Sequence, residues 1–164
     1  DYLERAFDHA KYGRYSPHPW IEFTIPSLDD PSLAPGGAHV LSAYAQFAPY
    51  QLRDSHWDAE RDRFGDSVSA TLEQYAPGLS STIVARQVLT PLDLERGWGL
   101  TGGQIFHGEL ALDQFFAMRP LLGFGDHRTP VRGLFLCSSG SHPGTGLTGG
   151  SGANAAAVVA RELA

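Results

Sequence analysis

The chain has 164 residues, 42% of them hydrophobic and 18% charged, with a formal net charge of −6. That is long enough for one domain with a real core, too apolar for disorder, and too acidic for a protein that grips a phosphate backbone. A single cysteine excludes an internal disulfide, and no apolar run approaches the roughly 18 residues of a membrane span.

Residues 1–11 read as a helix, with Leu3, Ala6, Phe7 and Ala10 on one face. Residues 12–19 carry Gly13, Pro17 and Pro19 and read as a loop. Residues 20–25 alternate, Trp20, Glu22 and Thr24 against Ile21, Phe23 and Ile25, as a half-buried strand does. Three prolines, two glycines and two aspartates make 26–37 a connection, and 39–48 alternates again. The two strands are expected to pair antiparallel, although the connection is long for a hairpin. The strongest helix candidate is 54–75, with Trp57, Arg61, Phe64, Val68, Leu72 and Tyr75 at helical spacings. Asp54 or Ser55 is its expected cap, and Pro77-Gly78 its stop. Gly65 weakens its middle by about 1 kcal/mol relative to alanine. Residues 80–89, with Ile83-Val84 and Val88-Leu89, read as a third strand. Thr90-Pro91 reads as a cap and first turn of a short helix ending at Gly97 or Gly99. A glycine loop follows at 99–108, a helical turn at 112–118 that Pro120 ends, and a loop at 121–132.

The ending is the most informative stretch. The apolar run 134–137 reads as a buried strand, 138–152 as a Ser/Gly/Pro loop, and the alanine-rich 153–164 as a helix. Strand, glycine loop and helix together form an anion-receiving arrangement, because glycines admit close approach and the first helical turn presents free N–H groups. Gly144, Gly146 and Gly149 spell G-x-G-x-x-G, but no second strand and no acidic residue follow as a dinucleotide fingerprint requires. The phosphate-loop pattern also fails, since Gly150 stands where lysine is needed. On spacing alone the stretch is either an anion site or a plain connection.

The run CSSGSHPGTGLTG at 137–149 resembles the C-terminal flavin motif of bacterial-type phytoene desaturases and phytoene-dehydrogenase-like oxidoreductases. Residues 89–95, 102–108, 113–120, 2–15 and 25–35 are similar to the same family, on the branch of pyridine nucleotide-disulfide oxidoreductase domain-containing proteins. The resemblance implies an α+β chain: an antiparallel sheet with helices from a substrate domain, plus the last strand and C-terminal helix of an FAD-binding, Rossmann-like domain. The implied division is 1–89, a connecting segment 90–132 with a flavin-proximal loop, and 133–164. It further implies that the chain is the C-terminal portion of a longer FAD-dependent oxidoreductase, inactive by itself. Flavin contacts would come from Gly140, His142, Pro143, Gly144, Gly146, Leu147, Thr148 and Gly149, with Gly102 and Gly103 near the flavin and substrate. Ser138 stands where relatives usually have glycine, and Ser139 where related flavoproteins place an acid.

His107 is a candidate hydrogen-bond donor or proton relay in the second glycine loop. Arg119 either serves the cofactor region or braces a carboxylate such as Asp113. No catalytic acid or base is named. Seven histidines show no H-x-x-x-H or Cys/His pairing, so no metal site is expected. Cys137, inside an apolar run, is expected to be an inert thiol. Trp20, Phe23, Tyr44, Phe47 and Trp57 read as core first and as an apolar cavity lining second. The expected partners are a small apolar, polyene-like substrate and no nucleic acid. A peripheral membrane contact of the parent is compatible with such a substrate. An unpaired final strand predicts a homo-oligomer, and the expected location is cytoplasmic. Two other functions are carried: a non-enzymatic interaction or dimerisation module that no longer holds flavin, and a small serine hydrolase built on Ser151, where Ala153 spoils G-x-S-x-G.

Overall fold

A computed structural model describes residues 1–108, 110–144, 146 and 148–164. The chain divides into two compact units, Asp1–Leu92 and Asp93–Ala164. Its architecture is α+β, with helices and a two-stranded antiparallel sheet.

The first unit opens with α1 (Tyr2–Lys11), whose Ala6 is buried. Strands β1 (Trp20–Thr24) and β2 (Ser42–Gln46) pair antiparallel, Trp20 opposite Gln46 and Thr24 opposite Ser42. The long connection between them is held shut by one buried serine. Ser27 Oγ accepts from Val40 N (3.0 Å) and hydrogen-bonds His39 Nδ1 (3.1 Å), while two 3-10 turns, Pro26–Leu28 and Pro31–Leu33, take up the intervening chain.

Helix α2 (Trp57–Tyr75) carries the core. Trp57 and Phe64 are buried two turns apart, their rings 5.4 Å apart, and Tyr15 packs on both at 5.8 and 5.0 Å. Such ring pairs add to the area each buries. Trp57 Nε1 donates to the Pro49 carbonyl (3.0 Å), so its one polar atom is satisfied. Neither expected cap is used. The helix starts after His56, which leaves Asp54 free to pair with Arg14 and Ser55 Oγ to donate to Glu60 (3.0 Å).

The expected strand at 80–89 is not one. Residues Leu79–Thr82 form a short helix, α3, whose Ser81 and Thr82 hydroxyls donate back to the Gly78 and Leu79 carbonyls. The rest runs against α2 and is held by side chains. Arg61 donates to the Val88 carbonyl (3.1 Å), and Arg86 pairs with Asp66 (2.8 Å). Gly65 explains the close crossing: a Cβ there would lie 2.7 Å from Val88 Cγ2.

Helix α4 (Pro91–Trp98) leads into the second unit, where 3-10 turns occupy Thr101–Gly103, Leu112–Gln114 and Phe116–Met118. The expected final strand is also corrected. Among the described residues, 134–137 makes one antiparallel bridge, Phe135 with Arg128, because no ladder partner runs beside it. Around that bridge Leu136 N donates to the His127 carbonyl (2.9 Å), and His127 Nδ1 hydrogen-bonds the Leu136 carbonyl (2.9 Å). Gly125 is required by contact, since a Cβ there would sit 2.2 Å from the Ala117 carbonyl oxygen.

Helix α5 (Gly150–Leu163) starts three residues earlier than composition indicates. Gly149, at φ 71°, is its N-cap, and Thr148 Oγ1 accepts from Gly150 N (3.2 Å). Ala155 and Val158 are its buried apolar residues, and Glu162 pairs with Arg128 (3.1 Å). Among the described residues, no helix is long and apolar enough to cross a membrane.

Candidate functional site

The loop before α5 and the first turn of that helix surround a cleft of about 380 Å³ in the second unit. His107, Cys137, Ser138, Ser139, Gly144 and Gly146 line it, with Thr148, Gly149, Ser151 and Gly152. The volume falls at the low end of small-molecule sites. A bound ring system fits that scale, and a whole dinucleotide does not.

The loop is built from three serines. The hydroxyls of Ser141 and Ser151 lie 2.6 Å apart and reach the Ser138 carbonyl at 2.8 and 2.9 Å. Both serines are buried, so these bonds lock the start of the loop to the start of α5. Ser138 Oγ accepts from Gly140 N (3.2 Å), a side-chain turn that glycine would not supply. The departure from glycine at 138 is therefore accommodated, and its hydroxyl stabilises the turn.

At the mouth of α5 the polar groups are unevenly used. Gly150 N–H is taken by Thr148, and Ala153 N–H by the Gly149 carbonyl (3.0 Å). Between them, the N–H groups of Ser151 and Gly152 have no acceptor among the described residues. The positive end of a 14-residue helix, with Gly152 N–H unpaired among the described residues, favours an anion or a carbonyl edge. Open space adjoins the Cα of Gly149 and Gly152, and at Gly149 the φ of 71° is what favours glycine. This donor set, with the small-residue wall, fits part of a flavin nucleotide.

The expected contact residues separate on this geometry. Gly144, Gly146, Thr148 and Gly149 line the cleft. Pro143 packs behind it, where a Cβ on Gly150 would meet its Cγ at 3.2 Å. Gly140 lies beside His107, whose Cβ is 3.7 Å from a Cβ built on that glycine. His142 is half-buried, with its Nδ1 unpartnered among the described residues. Leu147 lies outside the described residues. Gly102 and Gly103 are not in the cleft wall. They turn the chain at φ 66° and 65°, and Gly102 N–H is taken by Glu95 Oε1 (2.9 Å).

His107, at φ 58°, does reach the cleft, as does Cys137. The thiol of Cys137 is exposed, which overturns the expectation of an inert buried group; without a ladder, residue 137 has no sheet to cover it. The aromatic set of the first unit also divides. Trp57 is core and Phe47 meets Phe7 edge-on (4.9 Å), while Phe23 and Tyr44 are exposed.

Arg119 is the residue that sequence reasoning placed least well. It is 1% exposed and meets carbonyls, not Asp113. Its Nη1 donates to Ser139 O (2.7 Å) and Phe106 O (3.1 Å), and its Nη2 to Gly108 O (3.3 Å). One guanidinium thus ties both glycine loops together. Its position between two glycine loops was the available signal. Among the described residues, no three His, Cys, Asp or Glu side chains gather as a metal centre would need.

Comparison with known proteins places the chain in the phytoene-desaturase-like family of oxidoreductases, over one part of their length. It is 48% identical over 163 residues to pyridine nucleotide-disulfide oxidoreductase domain-containing protein 2 of Rattus norvegicus, covering 98% of this chain and 28% of that protein. It is 30% identical over 139 residues to a limonene dehydrogenase polypeptide of Castellaniella defragrans, covering 82% and 25%. With the lycopene-forming phytoene desaturase of Pantoea ananas the identity is 31% over 125 residues, covering 76% and 25%. The chain therefore spans little more than a quarter of the length of these relatives. No protein-family model matches it, and no solved structure does.

Proposed function

We propose that this chain is the flavin-facing, C-terminal part of an FAD-dependent oxidoreductase acting on an apolar substrate of polyene type. The observation that carries this reading is the glycine-walled cleft at the head of α5, where Gly152 N–H has no acceptor among the described residues. The relatives' names supply the oxidoreductase class. Bound flavin supplies the redox chemistry, and the protein supplies position and electrostatics. In that division of labour Gly144, Gly146 and Gly149 admit close approach, and the head of α5 donates hydrogen bonds. The serine cluster ties the loop to the head of α5, and His107 lines the cleft from the opposite loop.

The hydrolase alternative loses its nucleophile. Ser151 is buried and its hydroxyl meets Ser138 and Ser141, with no histidine bonded to it among the described residues. The interaction-module reading keeps one observation, the exposed apolar side chains of the second unit.

The test uses the polypeptide as its gene encodes it. The purified protein should be yellow, release FAD on denaturation, and lose FAD affinity about tenfold in Gly146→Val, where φ is 93° and a β-branched side chain is strained. A colourless wild-type product that takes up no FAD on titration defeats the proposal.

A further inference from the structure

The cluster of Ser138, Ser141 and Ser151 has one more contact than it has hydroxyl protons. The Ser138 carbonyl lies 2.8 Å from Ser141 Oγ and 2.9 Å from Ser151 Oγ, and the two hydroxyls lie 2.6 Å apart. A carbonyl brings no proton, and each hydroxyl brings one. The 2.6 Å contact needs a proton, because two bare oxygens repel at that distance. One proton then remains for the two contacts with the carbonyl. The carbonyl's own count agrees, since the Ser141 N–H (3.0 Å) already takes one of its two lone pairs.

Two arrangements satisfy both counts. Either Ser151 donates to Ser141 and Ser141 to the carbonyl, or Ser141 donates to Ser151 and Ser151 to the carbonyl. In the first, Ser151 Oγ accepts nothing from the cluster. In the second, Ser141 Oγ accepts nothing from it. The two oxygens differ in access. Ser151, 7% exposed, is a wall residue of the cleft, and Ser141, 1% exposed, is not. A donor in the cleft therefore meets an open acceptor only in the first arrangement, and its bond adds to a chain of aligned hydroxyls that ends on the carbonyl.

We infer that Ser151 is a ligand-reading residue, whose hydroxyl accepts a hydrogen bond from an N–H or O–H group of the molecule in the cleft. Resting on the flavin reading above, that group is the imide N–H of the ring or a hydroxyl of the ribityl chain. An isolated serine takes donors and acceptors alike. Here the cluster holds the Ser151 proton, so the residue selects a donor.

Ser151→Ala and Ser141→Ala in the gene-encoded polypeptide separate this role from the tie between loop and helix. Both break that tie, and only S151A removes the acceptor. In S141A the Ser151 proton passes to the Ser138 carbonyl, already at 2.9 Å, and the Ser151 oxygen still accepts. Affinities are measured for FAD, for N3-methyl-FAD and for FADs each lacking one ribityl hydroxyl. S151A is expected to lose FAD affinity about tenfold, and S141A to stay within about threefold of wild type. One analogue is expected to bind wild type about tenfold more weakly than FAD, and S151A about as well as FAD. If that analogue is N3-methyl-FAD, the donor is the ring imide; if it is a deoxy analogue, the donor is the missing hydroxyl. The inference is overturned if S151A binds FAD as wild type does, if S141A loses as much as S151A, or if no analogue loses its penalty in S151A. If S151A does not fold, Ser151→Cys, whose sulfur is a weak acceptor, takes its place under the same criteria. A wild-type protein that takes up no FAD rejects the flavin reading and this inference with it. A loaded wild type indifferent to the change at Ser151 rejects this inference alone.

Discussion

Tyr15 shows how far a single buried hydroxyl sets a pH response. Its phenol is pushed up to about 12, first by burial against Trp57 and Phe64 and then by the hydrogen bond to the Glu60 carboxylate (2.7 Å) and that group's charge. A phenol raised in the folded state favours folding at all pH values below its ordinary value of 10.0, and that contribution disappears as pH climbs from there to about 12. Glu60 works in the opposite sense. Tyr15, then Ser55 and Arg63, hold its carboxyl below the ordinary carboxylate range, so its contribution is present above that range and is lost as acid protonates it. Tyr15→Phe keeps the ring packing and removes the bond. Circular dichroism across pH should show a smaller alkaline loss of stability between 10 and 12 than in wild type, and a smaller loss on the acid side. Identical curves for the two proteins would mean the bond contributes nothing. None of this is legible in sequence, because Tyr15 and Glu60 are neighbours only through α2.

Helix α2 is the element where sequence and packing disagree most usefully. Its apolar spacing named Trp57 and Phe64, and both are buried. Gly65 looked like a defect of about 1 kcal/mol by propensity. In the fold it is the gap through which 86–88 crosses the helix. Gly65→Ala should therefore lose stability despite the better helix former, by up to about 2 kcal/mol, because the added methyl overlaps Val88 Cγ2 and overpacking costs about 1–3 kcal/mol. Chemical denaturation measures it, and a stabilised variant would show that the crossing chain yields freely. The strand misassignments share one cause. Residues 80–89 and 134–137 have strand-like composition, but a strand exists only where a second backbone accepts its ladder. At 80–89 the side chains of Arg61 and Arg86 hold the chain instead, and at 134–137 only Arg128 offers a bridge among the described residues. The β1–β2 pair was readable because both members alternate and both are present.

Across the whole molecule, much apolar surface remains in water. Leu112 is 83% exposed, Phe116 77% and Leu122 76%, and the sheet has only two strands among the described residues, so each has one unpaired edge. Exposed large side chains and open strand edges drive association. The 164-residue polypeptide should therefore self-associate: light scattering at micromolar concentration is expected to give a mass above that of one chain. A monomeric mass there would show that these surfaces tolerate water.

Periodicity and punctuation by themselves determined α1, α2, α4 and α5, the paired strands and the glycine-rich turn before the last helix, because those features are local and each residue's preference acts within a few positions. The run at 137–149 likewise carried its family resemblance in the linear order of its residues. What only the tertiary structure decided was which groups face one another. It brought His107 and Cys137 to the same cleft, joined Ser141 to Ser151, and placed Arg119 against the carbonyls of Phe106, Gly108 and Ser139. Burial, charge compensation and close approach depend on distances between residues far apart in the chain, and a linear order contains no distances.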